Sequence, residues 1–278
     1  MSFLDRHLIV DGSRIAYRDR GDGEPVVFIH GTPSYSHEWR HVVPGIEAAG
    51  YRVITYDLLG YGDSERPLDK DTSVGGQTEL LGHILDALGV ERATIVSHDI
   101  GGAIGQRFAL FHPDRVARLM LMDTVSYDSW PSETWQTIRE HIDEYVSISP
   151  QEFEQLLTKQ LRMTVEDQAA MEGPELDAFL WPHRTGVGRA SFFQHQVSHY
   201  DSTYTQEIAG RLGELTAPVR ILWGEHDRWQ PLAYAHRLLR DLPNASLAVL
   251  PGAGHFLMED DPEWVAREVL DFLRDGER

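Results

Sequence analysis

The chain has 278 residues, 41% of them hydrophobic, with 25 basic against 44 acidic side chains, a net charge of −19 and no cysteine. That length suits one large domain or a domain carrying an insertion, and no stretch approaches the roughly 20 apolar residues of a membrane span. The acidic balance argues against nucleic acid and anionic membranes, which need clustered Lys and Arg. The lack of cysteine excludes disulfide and thiolate chemistry, and the absence of a basic-then-apolar leader after Met1 fits the cytoplasm.

Apolar, β-rich runs begin with Ile15-Ala16-Tyr17 and with Val26 to Ile29. Turn signals at Asp11-Gly12 and Gly21-Asp22-Gly23 predict that these two runs form an antiparallel start to a sheet. The second run leads into His30-Gly31-Thr32-Pro33, with Trp39-Arg40 soon after. By itself that loop also reads as a Gly-Pro turn. Further runs follow at Val53 to Tyr56, Ala93 to Val96, Leu119 to Met122, Val219 to Trp223 and Leu247 to Leu250. Amphipathic stretches such as Gly76 to Leu88 and Ala233 to Leu242 lie between most of them. Strands alternating with helices predict an α/β fold with a mostly parallel sheet covered on both faces.

The run at Ala93 is followed by Ser97-His98-Asp99-Ile100-Gly101-Gly102 and then by helical spacing through Phe108. Strand, sharp turn and helix form the setting of a nucleophile elbow, which lifts one side chain above the sheet. Asp99 occupies the tip, between the small residues Ser97 and Gly101. An Asp before two glycines also fits a plain turn or helix cap. Two later strands end in polar loops: Trp223-Gly224-Glu225-His226-Asp227 and Gly252-Ala253-Gly254-His255-Phe256. Open parallel sheets gather ligands at such C-terminal strand ends, and the order Asp99, Asp227, His255 is that of nucleophile, acid and histidine.

Between Asp123 and Pro218 the rhythm changes. No convincing strand appears, only helical segments such as Ser132 to Tyr145 and Pro150 to Leu161, so a helical lid is expected between two strands.

The motifs His30-Gly31-Thr32-Pro33, Gly60-Tyr61-Gly62-Asp63-Ser64, Ser97 to Gly102, Gly224 to Asp227 and Gly252 to His255 resemble those of the α/β-hydrolase superfamily over nearly the whole chain. The resemblance implies an eight-stranded, mostly parallel sheet flanked by helices, with the lid inserted after the sixth strand. It divides the chain into a core of residues 1–126 and 208–278 and a lid of residues 127–207. An Asp at the elbow narrows the likeness to epoxide hydrolases, haloalkane dehalogenases and fluoroacetate dehalogenases, away from the serine esterases and lipases.

A carboxylate is already nucleophilic at neutral pH and can displace a leaving group from an sp³ carbon. The resulting ester on Asp99 requires His255 to activate water, with Asp227 orienting the imidazole and the amides of Thr32 and Ile100 holding the oxyanion. No cofactor or metal is expected, and the 14 histidines show no metal-ligand spacing. Asp123, ending the strand at Leu119 to Met122, is a rival for the supporting acid. His98 should point away from the cleft.

Epoxide opening calls for a donor to the developing alkoxide, supplied in the epoxide hydrolases by two lid tyrosines. Tyr145, Tyr200 and Tyr204 are the candidates, and Tyr200 and Tyr204 share a face if their stretch is helical. They also read as packing residues. Halide release calls for N–H donors instead. Haloalkane dehalogenases usually carry Trp after the nucleophile, where this chain has Ile100, although Trp130, Trp135 and Trp181 in the lid offer indoles. The reading is a cofactor-independent hydrolase acting through an aspartyl ester, an epoxide hydrolase forming a vicinal diol. The alternatives are a haloalkane or haloacid dehalogenase and, from another class, a ligand-binding receptor without turnover. The expected partners are a small apolar electrophile and water, with room for a homodimer and none for nucleic acid or membrane.

Overall fold

The computed structural model describes residues 3–275. Eight strands form one sheet: β1 (Arg6–Val10), β2 (Ser13–Arg20), β3 (Pro25–Ile29), β4 (Arg52–Tyr56), β5 (Ala93–His98), β6 (Val116–Met122), β7 (Val219–Gly224) and β8 (Ala245–Leu250). Their order is β1-β2-β4-β3-β5-β6-β7-β8. Every pairing from β4 onward is parallel. β5 is buried at every residue. A central strand covered on both faces needs such a continuous apolar run, because neither set of alternate side chains meets water.

The antiparallel start differs from the expectation. β2 pairs with β1 and with β4, not with β3. β3 has no free edge for a hairpin, since β4 and β5 occupy both of its sides. The hairpin turns instead at Asp11-Gly12, whose φ values of 50° and 80° suit a two-residue turn with both central residues left-handed. β1 escapes the sequence reading because it is an edge strand with mostly exposed residues.

The helices between β3 and β6 are α1 (Val43–Ala48), α2 (Val74–Ala87) and α3 (Ile100–Phe111). Ser73 caps α2 by accepting from the Gly76 amide. Between β6 and β7 lie α4 (Glu133–Glu140), α5 (Ile142–Val146), α6 (Pro150–Arg162), α7 (Gly173–Leu180), α8 (Gly186–Ser191) and α9 (Thr203–Ala209), with no strand among the described residues. The stretch expected as one helix from Ser132 breaks at His141 (φ −112°, ψ 31°) into α4 and α5. α6 begins with a capping box in which Ser149 and Glu152 satisfy each other's amides. The chain closes with α10 (Leu232–Asp241), α11 (Leu257–Asp260) and α12 (Pro262–Arg274). α2 packs on α3 and α1 on α12.

The helical insertion has an aromatic interior of its own. Phe153 meets Phe192 and Phe193, and Trp135 meets Phe192 and Tyr200. Wide aromatic contact of this kind lets short helices hold together over the sheet. No described helix is long and apolar enough to cross a membrane.

Candidate active site

Asp99 sits where β5 turns into α3, at φ 51° and ψ −119°. This left-handed backbone is costly for a residue with a Cβ, by about 1–3 kcal/mol, and such strain persists where the surroundings enforce it. The enforcing contact is close. A Cβ on Gly101 would stand 2.5 Å from the Ile29 carbonyl oxygen and 2.7 Å from that of His30. Only glycine allows the first turn of α3 to press against the end of β3.

The two oxygens of Asp99 have separate partners. Oδ1 accepts from the Thr32 amide at 2.9 Å, and Oδ2 faces His255 Nε2 at 3.5 Å. Thr32 lies on the loop after β3, held by His30, whose Nε2 accepts from the Leu58 amide at 2.9 Å while Nδ1 lies 2.8 Å from the Gly31 carbonyl oxygen. Ile100, the other expected amide, is the first residue of α3, where the helix N-terminus favours negative charge. Burial of Asp99 disfavours its charge, but the His255 imidazole facing it, the His98 ring nearby and the Thr32 amide outweigh it and hold the carboxyl below its ordinary range.

His255 Nδ1 lies 2.8 Å from Asp227 Oδ2. Asp227 Oδ1 in turn accepts from the amides of Trp229 and Gln230 at 2.7 and 2.9 Å. Burial lowers the proton affinity of His255, yet Asp227 first and Asp99 second raise it well above the usual imidazole value. Asp123, the rival acid, is fully buried with φ 41°. Its Oδ1 accepts from the Gly224 amide at 2.8 Å, and its Oδ2 has no hydrogen-bond partner. Burial, followed by the charge of Asp227, raises its proton affinity well above that of a free carboxyl. The imidazole hydrogen bond therefore goes to Asp227. Asp123, Asp227 and His255 each turn a ligand-type atom to within 4.8 Å of the others.

His98 points away from the cavity, as expected. It is wholly buried, with Nδ1 3.2 Å from Glu38 Oε1 and Nε2 3.1 Å from the His255 carbonyl oxygen. Glu38 also accepts from the Gly31 amide at 3.3 Å. One buried pair thus joins the Thr32 loop, the elbow and the His255 loop.

A cavity of about 50 Å³ stands over Asp99. From the core it is lined by Thr32, Pro33, Val125, Trp229 and Gln230, and from the insertion by Trp130, Pro131, Ser132, Trp135 and Tyr200. Neither Arg nor Lys is among them. Tyr200 Oη lies 2.7 Å from Thr32 Oγ1, and burial, then the Tyr61 phenol nearby, pushes its proton affinity well above that of free tyrosine. Tyr61, from the loop after β4, is buried beside Thr32, and burial raises its proton affinity. A π-helical turn over Phe192–Gln196 precedes Tyr200 and brings Gln196 Oε1 to 3.3 Å from Thr32 Oγ1. Trp130 Nε1 is buried without a partner.

The structure separates the remaining insertion candidates from this cavity. Tyr200 and Tyr204 do not share a helical face, because α9 starts only at Thr203 and Tyr200 is extended, at ψ 92°. Tyr204 packs instead under the Arg107 guanidinium and against Gly75. Tyr145 is half-buried on α5 outside the cavity lining, and Trp181 is 51% exposed. Sequence reasoning gave no role to Glu38, Tyr61, Trp229 or Gln230. A charge between His37 and Trp39, and two residues just past Asp227, were the available signals.

The sequence profile described as alpha/beta hydrolase fold matches residues 24–262. A Burkholderia vietnamiensis protein named 2-hydroxy-6-oxononadienedioate/2-hydroxy-6-oxononatrienedioate hydrolase is 30% identical over 96% of this chain and 94% of its own. A 2-hydroxy-6-oxo-6-phenylhexa-2,4-dienoate hydrolase of Burkholderia cepacia is 28% identical over 95% of this chain and 92% of its own. The crystal structure of an alpha/beta hydrolase fold protein from Burkholderia ambifaria superposes with a TM-score of 0.91 at 32% identity, covering 98% of each chain.

Proposed function

The chain belongs to the α/β-hydrolase fold family and is a hydrolase of that fold, and from that premise we propose that it works through an ester on Asp99 and opens small epoxides to vicinal diols. The observation that carries this reading is the division of labour around Asp99: one oxygen held by the Thr32 amide, the other free toward the cavity and His255, and the Tyr200 phenol on the opposite wall. Asp99 Oδ2 forms a bond to an epoxide carbon as the ring C–O bond breaks. The departing oxygen takes the Tyr200 proton, which its raised proton affinity keeps in place at neutral pH.

Forming the ester removes the charge of Asp99 and with it part of what holds His255 protonated. The neutral imidazole then takes a proton from water, whose oxygen adds to the Asp99 carbonyl carbon while the Thr32 amide receives the oxyanion. Collapse releases the diol, the departing alkoxide taking the proton of the re-formed Asp99 carboxyl. The imidazolium then reprotonates the Tyr200 phenolate, and His255 regains from solvent the proton it released on ester formation. Epoxide and water are consumed and nothing else.

The relatives' names describe dienedioates and a dienoate. Such carboxylates call for cationic side chains, and this cavity has no Arg or Lys and little volume, so a small uncharged electrophile suits it better. A second reading has its own support. Trp130 Nε1, buried and without an acceptor on the cavity wall, is a donor suited to a departing halide.

The test is His255→Gln incubated separately with a small epoxide and a haloalkane, followed by intact-mass measurement. The epoxide reading expects Asp99 to gain the whole mass of the epoxide, and the dehalogenase reading expects the alkyl mass without halogen. No adduct with either reagent overturns the ester mechanism.

A further inference from the structure

We propose that Asp123 is a positioning residue: it carries a proton and donates it from Oδ2 to the Asp227 carboxylate, so that one neutral acid and one carboxylate, not two carboxylates, stand behind His255. The proposal rests on the assignment of His255 as base and adds to it a device that sets how basic the imidazole is.

The geometry leaves few alternatives. Asp123 is buried at the end of β6 and held there in a left-handed backbone conformation. Its Oδ1 is filled by the Gly224 amide, whereas its Oδ2 reaches no donor. What Asp123 faces are Asp227 and His255, all three groups lying within 4.8 Å of one another. The imidazole Nδ1 is committed to Asp227 at 2.8 Å. Two carboxylate oxygens out of water at this separation repel strongly, and a single proton between them converts repulsion into a hydrogen bond. Burial favours the same outcome, since it penalises the charged form of Asp123.

The consequence concerns His255. The charged and titratable groups facing its ring are Asp227, Asp99, Asp123 and the His98 ring at 4.8 Å between centroids. Asp227 and Asp99 already raise its proton affinity well above normal. A third negative charge would keep the imidazole protonated after Asp99 is esterified and would withhold the base. A proton on Asp123 removes that charge. Its hydrogen bond also draws electron density from Asp227, which then accepts from the Trp229 and Gln230 amides, His255 and Asp123 together.

The experiment is the titration of His255, read by imidazole NMR in the free protein as wild type, Asp123→Asn and Asp123→Ala. Asparagine keeps the shape, has no charge, and offers both an acceptor to Gly224 and a donor to Asp227. The expected result for Asp123→Asn is a midpoint unchanged within about 0.5 pH unit. Asp123→Ala, which removes the donor, should move the midpoint upward. A fall of more than about one unit in Asp123→Asn would show a lost negative charge and overturn the proposal. If the alanine variant does not fold, the asparagine variant decides alone. Because the titration needs no substrate, it stands or falls separately from the identity of the electrophile.

Discussion

His255 Nε2 and Asp99 Oδ2 stand 3.5 Å apart, and each shifts the other's proton affinity, Asp99 downward and His255 upward. The two halves of the proposed reaction therefore respond differently to pH. Attack requires ionised Asp99, whose lowered proton affinity preserves the charge well into acid. Ester hydrolysis requires neutral His255, and that form is lost as pH falls. Lowering the pH from 8 toward 5 should make the alkyl-enzyme accumulate during turnover, with its fraction measured by rapid quench and intact mass. An ester fraction that falls over this range would contradict the assigned roles.

Tyr200 and Trp130 line the same cavity with different donors. Tyr200→Phe removes the acid and should lower kcat on a small epoxide by about 10²–10⁴-fold, the usual contribution of a positioned proton donor. The same variant should change haloalkane turnover little. Trp130→Phe should show the reverse pattern, and steady-state assays with both substrates read the difference.

Gly101 is the point at which α3 touches the end of β3. A methyl group would stand 2.5 Å from a backbone oxygen that cannot move without shifting the sheet. Gly101→Ala should destabilise the protein by about 1–3 kcal/mol, the range for overpacking, measured by urea unfolding. Any fold that survives should show reduced activity, because the loop carrying Thr32 is displaced with it.

Glu38 and His98 are fully buried and paired at 3.2 Å. Removing one partner leaves a buried polar group of the other unsatisfied, a loss of about 1–3 kcal/mol. Glu38→Ala should approach that cost, and Glu38→Gln, which still offers an acceptor to His98, should cost less. Equal midpoints for the two variants in denaturant would show that the pair contributes packing alone.

Much of the frame was legible because its signals are local. The run from Ala93 to Gly102 carries a strand, a turn and a helix start within ten residues, and the parallel arrangement follows from alternation of strands and helices. β1 was missed because an exposed edge strand lacks an apolar pattern. Its absence led to the misplaced hairpin partner of β2, since the pairing of β2 with β4 spans more than thirty residues and leaves no local trace.

The sequence by itself determined which groups could react: an aspartate at the elbow, a histidine and two acids past strand ends, and tyrosines and tryptophans between β6 and β7. Tertiary structure decided which of them meet. It gave His255 to Asp227 and left Asp123 facing that pair, and it turned Tyr200 toward Thr32 while Tyr204 packs under Arg107. The physical reason is range. Hydrophobic periodicity and turn chemistry act over a few residues, whereas the reach of a side chain depends on where short, irregular helices settle on a sheet folded from distant parts of the chain.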